Sequence, residues 1–280
     1  MSSRPEPVTA QLLRDWGLPD PGDSKKSRGQ VIVVGGSRST PGAVLLAGEA
    51  ALRVGAGRLG MLVPPAAEAG LGILMPEAAV LVLPSRASDP IGDDTAEELE
   101  SADAVLLGPG FDDPDQTRGT LLAVAESRIN CLILDAFALG VLPDIRREDL
   151  PEALILNPNH EEAGILLGRD LSDDPAGDLR ELAQRFDAVV NCYGVIAAPD
   201  GALWQVADGG AGLGTSGSGD VLAGAITGFA ARGVEPSRAA VWGSWTHARA
   251  GDRLTEHTGI GFLARELAAE LAPVLADALR

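Results

Sequence analysis

Residues 214–224 read GTSGSGDVLAG, and this stretch decides how the rest of the chain is read. Gly217 and Gly219 predict a backbone bent through conformations that other residues avoid, so that successive N–H groups converge on an anion. The Ser218 hydroxyl adds a donor. Val221, Leu222, Ala225, Ile226 and Phe229 follow at helical spacing, which puts the loop at a helix N-terminus where the dipole favours negative charge. Asp220 then falls in the first turn, beside the anion. A carboxylate there can take a proton from a hydroxyl that attacks phosphorus. The segment reads as the phosphate cradle and base of an enzyme that handles a nucleotide. The plainer alternative is a glycine-rich loop capping a core helix, with Asp220 serving only the helix dipole.

Outward from this segment, strand-length apolar runs alternate with helical patterns. QVIVVGG is a strand ending in a glycine turn, and GAVLLAGEAALRVGAG sets Val44, Leu45, Gly48, Ala51, Leu52 and Gly55 along one helical face. RLGMLVP, AAVLVLP, DAVLLGPG, INCLILDA, EALILNPN and FDAVVNC are further strands, nearly uniformly apolar and ending in Gly, Pro, Asp or Asn. Such strands are buried on both faces, as in a parallel sheet covered by helices, and the polar residues at their carboxyl ends line the ligand crevice. PSRAAVWGSWTHARAGDRLTEH and FLARELAAELAPVLADAL are two closing helices. The absence of an internal repeat or low-complexity linker points to one domain over residues 1–280, with 1–25 as a loosely ordered N-terminal extension.

Several chemistries are excluded. The formal charge of −18 and the lack of any basic stripe argue against nucleic acid. No apolar run reaches the roughly 18 residues of a membrane span. With no apolar signal core at the N-terminus and only Cys131 and Cys192, a cytoplasmic protein with reduced thiols is expected. The only lysines, Lys25 and Lys26, sit in a polar segment, which disfavours Schiff-base chemistry. His160, His247 and His257 lack metal-site spacing, so no protein-held metal is expected. Gly212, Gly214 and Gly217 match GxGxxG, but the ADGGA run separates them from the nearest strand-like segment, and no GxxxxGK[ST] loop occurs.

The order VVGGSRSTPGAVLLAGEAALRVGAGRLG, LLGPGF, LDAFAL, LNPNHEEAGILLG, GTSGSGDVLAG and THARAGD, from about Lys26 to Asp252, resembles the NAD(P)H-hydrate dehydratases of the ribokinase-like superfamily. The resemblance implies a three-layer α/β sandwich with a mostly parallel central sheet and helices on both faces. It implies an enzyme that uses ADP or ATP, with Mg2+ carried in by the nucleotide, to dehydrate NAD(P)H hydrate back to the working cofactor. Asp220 takes the catalytic position, with Gly217, Ser218 and Gly219 as anion hole. Ala43, Gly108, Gly110, Asn159 and His160 fall at the substrate, and Tyr193, Gly194, Gly219 and His247 at the nucleotide. Glu161 and Glu162 could reach a magnesium-bound phosphate through water. A homo-oligomer is expected.

The chain departs from the family pattern at three places. LDAFAL keeps Asp135 but has Phe137 where the family has a second aspartate. NPN at 157–159 stands for TPH. CYG stands for LKG, so Tyr193 replaces a lysine. Two other readings therefore stay open: a small-molecule kinase of the same fold, of the thiazole- or pyrimidine-alcohol type, and a non-catalytic nucleotide binder.

Overall fold

The computed structural model describes residues 4–86 and 89–280. Its elements run β1 (Glu6–Pro7), α1 (Ala10–Trp16), β2 (Gln30–Val34), α2 (Gly42–Arg53), β3 (Arg58–Val63), α3 (Pro65–Leu74), β4 (Ala78–Val82), α4 (Asp93–Glu100), β5 (Ala104–Leu107) and α5 (Pro114–Ala125). They continue through β6 (Cys131–Asp135), α6 (Phe137–Val141), β7 (Ala153–Asn157), α7 (His160–Leu167), α8 (Pro175–Phe186), β8 (Val189–Cys192), β9 (Val195–Ala197), β10 (Leu203–Gln205), α9 (Ser218–Ala231), α10 (Pro236–Thr258) and α11 (Ala264–Ala278). The strands form one sheet in the order β1-β10-β9-β8-β7-β6-β5-β2-β3-β4. From β4 to β8 every pairing is parallel, and the β8–β9–β10 meander is antiparallel.

The apolar strands produce this sandwich because successive residues face opposite layers. Val31 and Val33 of β2 join the core that includes α2, α9, α10 and α11, whereas Ile32 and Val34 join the core built with α5, α6, α7 and α8. The mostly parallel sheet covered on both faces is the architecture expected from the sequence. Two expectations need correction. The edge strand β4 leaves Val82 37% exposed, because nothing pairs beyond it. On α2 the buried residues are Val44, Ala47, Gly48, Ala50 and Ala51, so the stripe is rotated from the one read off the sequence, and Leu45 and Leu52 are only partly covered.

The N-terminal segment differs too. Residues 6–16 are an integral part of the fold and not a loose extension: β1 pairs in parallel with β10, Thr9 caps α1, and Leu13 is fully buried. Trp16 meets Trp204 edge-on at 6.1 Å between ring centroids and lies under the Arg238 guanidinium at 5.0 Å. The short strand and seven-residue helix carry too weak a periodicity to be read from sequence.

Glycines fix where α9 lies. A Cβ at Gly224 would strike the Ala47 carbonyl, and one at Gly228 would stand 2.7 Å from the Ala51 oxygen, so α9 packs backbone against α2. This close approach carries the start of α9 to the carboxyl ends of the central strands. No helix among the described residues is long and apolar enough to cross a membrane.

Candidate active site

A cavity of about 650 Å³ opens at the carboxyl ends of β6, β7 and β8, where parallel sheets commonly bind ligands. The sheet contributes Asp135, Ala136, Asn157, Tyr193 and Gly194. The loop after β10 contributes Asp208 to Gly210, Leu213 and Thr215. Gly217, Ser218, Gly219, Asp220 and Leu222 come from the start of α9, and Ser244, His247 and Ala248 from α10.

Gly217 is the N-cap of α9 at φ +90°, a conformation that glycine adopts freely, and a Cβ there would stand 2.5 Å from Leu46. Gly219 is different from the expectation. It is not bent through a glycine-only conformation but lies in the first helical turn, where a Cβ would meet nothing within 4 Å, so a ligand can come close to the backbone. No side chain caps this helix; the Ser218 N–H bonds the Thr215 carbonyl at 3.2 Å, and the Gly219 and Asp220 N–H groups are left to an anion. Asp220 faces the same space. Burial pushes its carboxyl up to about 6, into the range of a working base.

His247 is buried, which pushes it down to about 4 and keeps it neutral. Its Nε2 lies 3.0 Å from both the Ser218 carbonyl oxygen and Ser218 Oγ. A carbonyl only accepts, so Nε2 carries the proton and donates to both oxygens. The Ser218 hydroxyl hydrogen is thereby left free for the cavity. His247 thus acts on the site through Ser218.

The strand ends hold a second polar group. Ser244 Oγ donates to Asn191 Oδ1 (2.9 Å), Asn191 Nδ2 to Asn157 Oδ1 (2.6 Å), and Asn157 Nδ2 to Asp135 Oδ1 (2.8 Å). All four residues are buried, and every donor points toward Asp135. Burial holds the Asp135 carboxyl well above its ordinary range; the Asn157 bond opposes this, while the Glu162 and Asp220 charges add to it. Ala136, next in sequence, sits at φ +50°, a strained position of the kind that costs about 1–3 kcal/mol and gathers at functional sites. The sequence offered a signal for this chain: Asn191 interrupts the apolar strand VVNC, and a buried amide demands partners.

The remaining predicted residues divide into two groups. Asn159 lines the cavity, but its Oδ1 accepts from the Glu162 N–H while the Glu162 carboxylate accepts from the Asn159 N–H, both at 2.9 Å, closing a capping box on α7. Tyr193, at φ +47° and 69% exposed, stands at the cavity with its ring stacked on His160 at 4.0 Å. Ala43, Gly108 and Gly110 are not among the residues that line the cavity. Gly110, at φ +76°, packs against Thr40, Gly36 and Ala43 of α2, and Gly108 abuts the carbonyl of Asp135, a lining residue, so the turn after β5 lies beside the cavity. Phe137 is 37% exposed at the start of α6.

The cavity's charge is one-sided. Asp135, Glu162, Asp208 and Asp220 line it, and among the described residues no lysine or arginine does, although Arg249 of α10 pairs with Asp208 at 3.2 Å. Nor do the described residues hold a group of three or more His, Cys, Asp or Glu side chains arranged for a metal ion.

The sequence pattern that defines the NAD(P)H-hydrate dehydratases matches residues 31–273. The chain belongs to the NAD(P)H-hydrate dehydratase family. It is 42% identical to the ADP-dependent (S)-NAD(P)H-hydrate dehydratase of Xanthomonas campestris pv. campestris over 96% of its own length and 95% of that protein. It is 32% identical to the bifunctional NAD(P)H-hydrate repair enzyme Nnr of Escherichia coli, covering 95% of the chain but 52% of that longer protein. Among solved structures, the ADP/ATP-dependent NAD(P)H-hydrate dehydratase of Bacillus subtilis, co-crystallised with ATP/Mg2+, superposes with a TM-score of 0.81 at 26% identity, over 96% of this chain and 97% of that one. The dehydratase family thus accounts for the glycine-rich helix start and for the sheet that presents it.

Proposed function

We infer that this chain uses ADP or ATP to dehydrate NAD(P)H hydrate to NAD(P)H. The observation that carries the reading is Asp220, a half-buried carboxyl pushed up to about 6 beside an uncapped helix start, in a chain of the dehydratase family. The Asp220 carboxylate takes the proton from the hydrate's hydroxyl as that oxygen attacks the terminal phosphoryl group. The Gly219 and Asp220 N–H groups and the Ser218 hydroxyl hold the phosphoryl oxygens, and such fixed donors are worth a few kcal/mol where charge develops. Phosphate is then a far better leaving group than hydroxide, and its loss with a ring proton restores the double bond.

The described residues offer no ready-made metal site, so magnesium would arrive on the nucleotide. Phosphate oxygens and water would supply most of its shell, with Glu162 an outer partner through water, and the ion would neutralise phosphate charge. Tyr193 and Gly194 belong to the nucleotide side of the cavity in this reading. Asn159, His160, Ala43, Gly108 and Gly110 belong to the hydrate side in this reading. A cytoplasmic homo-oligomer completes the reading.

The test is incubation with NADPH hydrate and ADP or ATP. Reduced-nicotinamide absorbance should return only with both nucleotide and magnesium. Nucleotide consumed to give a stable phosphorylated alcohol, with no absorbance regained, would replace this reading by a kinase.

A further inference from the structure

Dehydration through a phosphorylated hydrate releases two protons, one from the hydroxyl and one from the neighbouring ring carbon. Asp220 accepts the first and is neutral when the second must leave. The cavity holds another carboxyl for it. Asp135 ends β6 at the floor of the same cavity, 6% exposed, followed by the strained Ala136. A series of three hydrogen bonds, Ser244 to Asn191 to Asn157 to Asp135, ends on its Oδ1 and draws on α10, β8 and β7. Aligned donors polarise one another toward the acceptor, so the Asn157 bond favours the ionised form of Asp135 against the burial that opposes it, and fixes the carboxyl's orientation.

We propose that Asp135 is the base of the second step, taking the proton from the ring carbon adjacent to the phosphorylated one, and that Asn157, Asn191 and Ser244 are its positioning residues. This rests on the dehydratase reading above. In the step, the C–H electron pair becomes the ring double bond. The C–O bond breaks with its pair going to the departing phosphate, and the proton ends on Asp135. Burial and the charges of Glu162 and Asp220 hold the Asp135 carboxyl toward its neutral form; neutralisation of Asp220 in the first step removes one of those charges, and Asp135 yields its own proton to water in the cavity before it takes the ring proton. The proton it then sheds passes to water in the cavity.

The experiment is a single turnover of the full chain with NADPH hydrate, nucleotide and magnesium, quenched at intervals for nucleotide products while reduced-nicotinamide absorbance is followed. In the parent the two signals advance together. Asp220→Asn should lose both. Asp135→Asn should cleave about one equivalent of nucleotide and accumulate phosphorylated hydrate, with absorbance return slowed roughly a hundredfold or more. Should Asp135→Asn not fold, Ser244→Ala, which removes the far donor, should slow absorbance return several-fold more than nucleotide cleavage. Regeneration by Asp135→Asn at the parental rate, or an equal loss of both signals in a folded variant, overturns the assignment. A parent that regenerates no cofactor overturns the dehydratase reading itself, and this assignment with it.

Discussion

Asp220 and Ser218 show how one helix turn sets two roles. Ser218 turns inward, where neutral His247 fixes its hydroxyl, and Asp220 turns toward the cavity, where lost hydration raises its carboxyl. Asp220→Asn keeps the shape and removes the base, so turnover should fall by roughly a hundredfold or more. Because the base must be ionised, the parental rate should climb as pH rises through about 6 and then level, and that limb should be absent from the residual activity of the variant. Stability should move the other way. The folded pKa lies above the unfolded one, so the parent is favoured by protonation and loses stability as pH rises from about 4 through about 6. Asp220→Asn should therefore exceed the parent by on the order of 2 kcal/mol at pH 8, the gap closing as pH falls toward 4. Urea unfolding at several pH values measures the gap, and a gap independent of pH would remove burial as the cause of the raised carboxyl.

Which elements could be read from the sequence follows from their length and surroundings. Strands buried on both faces are uniformly apolar, so β2, β3 and β5 to β8 stood out, and the glycine-rich start of α9 was visible from its own composition. β1, β9 and α1 did not, since two, three and seven residues are too few to show a period. Their stability comes from partners distant in sequence: β1 from β10, and α1 from Trp204, Arg238 and the core around α11. The consequence is measurable at Leu13, the buried anchor of α1. Leu13→Ala should cost about 2–4 kcal/mol, as core leucine truncations do, where a loosely ordered extension would cost almost nothing. Denaturant midpoints for parent and variant, at equal slopes, give the value.

Across the molecule, the acidic charge and the site's chemistry are one problem. The cradle and base could be read because they are contiguous, whereas Asp135, Asn157, Asn191 and Ser244 come together only through sheet order and the packing of α10. What the sequence did announce was a deficit of positive charge: −18 overall, two lysines, and a tyrosine at 193 where the resemblance implied a lysine. The cavity repeats that deficit in part: no lysine or arginine is among its described lining residues, and of its four carboxyl groups only Asp208 has a paired cation, Arg249 at 3.2 Å, while Asp135 is held toward its neutral form. A nucleotide polyphosphate approaching such a field is repelled unless it arrives with a cation, since fields of several kT extend from clefts lined by one sign. Tyr193 can offer a hydrogen bond or a ring face but no charge, and charge-assisted bonds are roughly twice as strong as neutral ones. ADP or ATP binding should therefore be weak without magnesium. Tyr193→Lys should tighten it, by up to about tenfold, with most of the gain seen when magnesium is absent. The exposed position of Tyr193, already in the left-handed region, lets the substitution be made without disturbing the core. Calorimetric titration of both proteins with each nucleotide, with and without magnesium, measures the four affinities. Equal affinity in parent and variant under both conditions would mean that this turn does not meet the phosphates, and would move the nucleotide away from Tyr193 and Gly194.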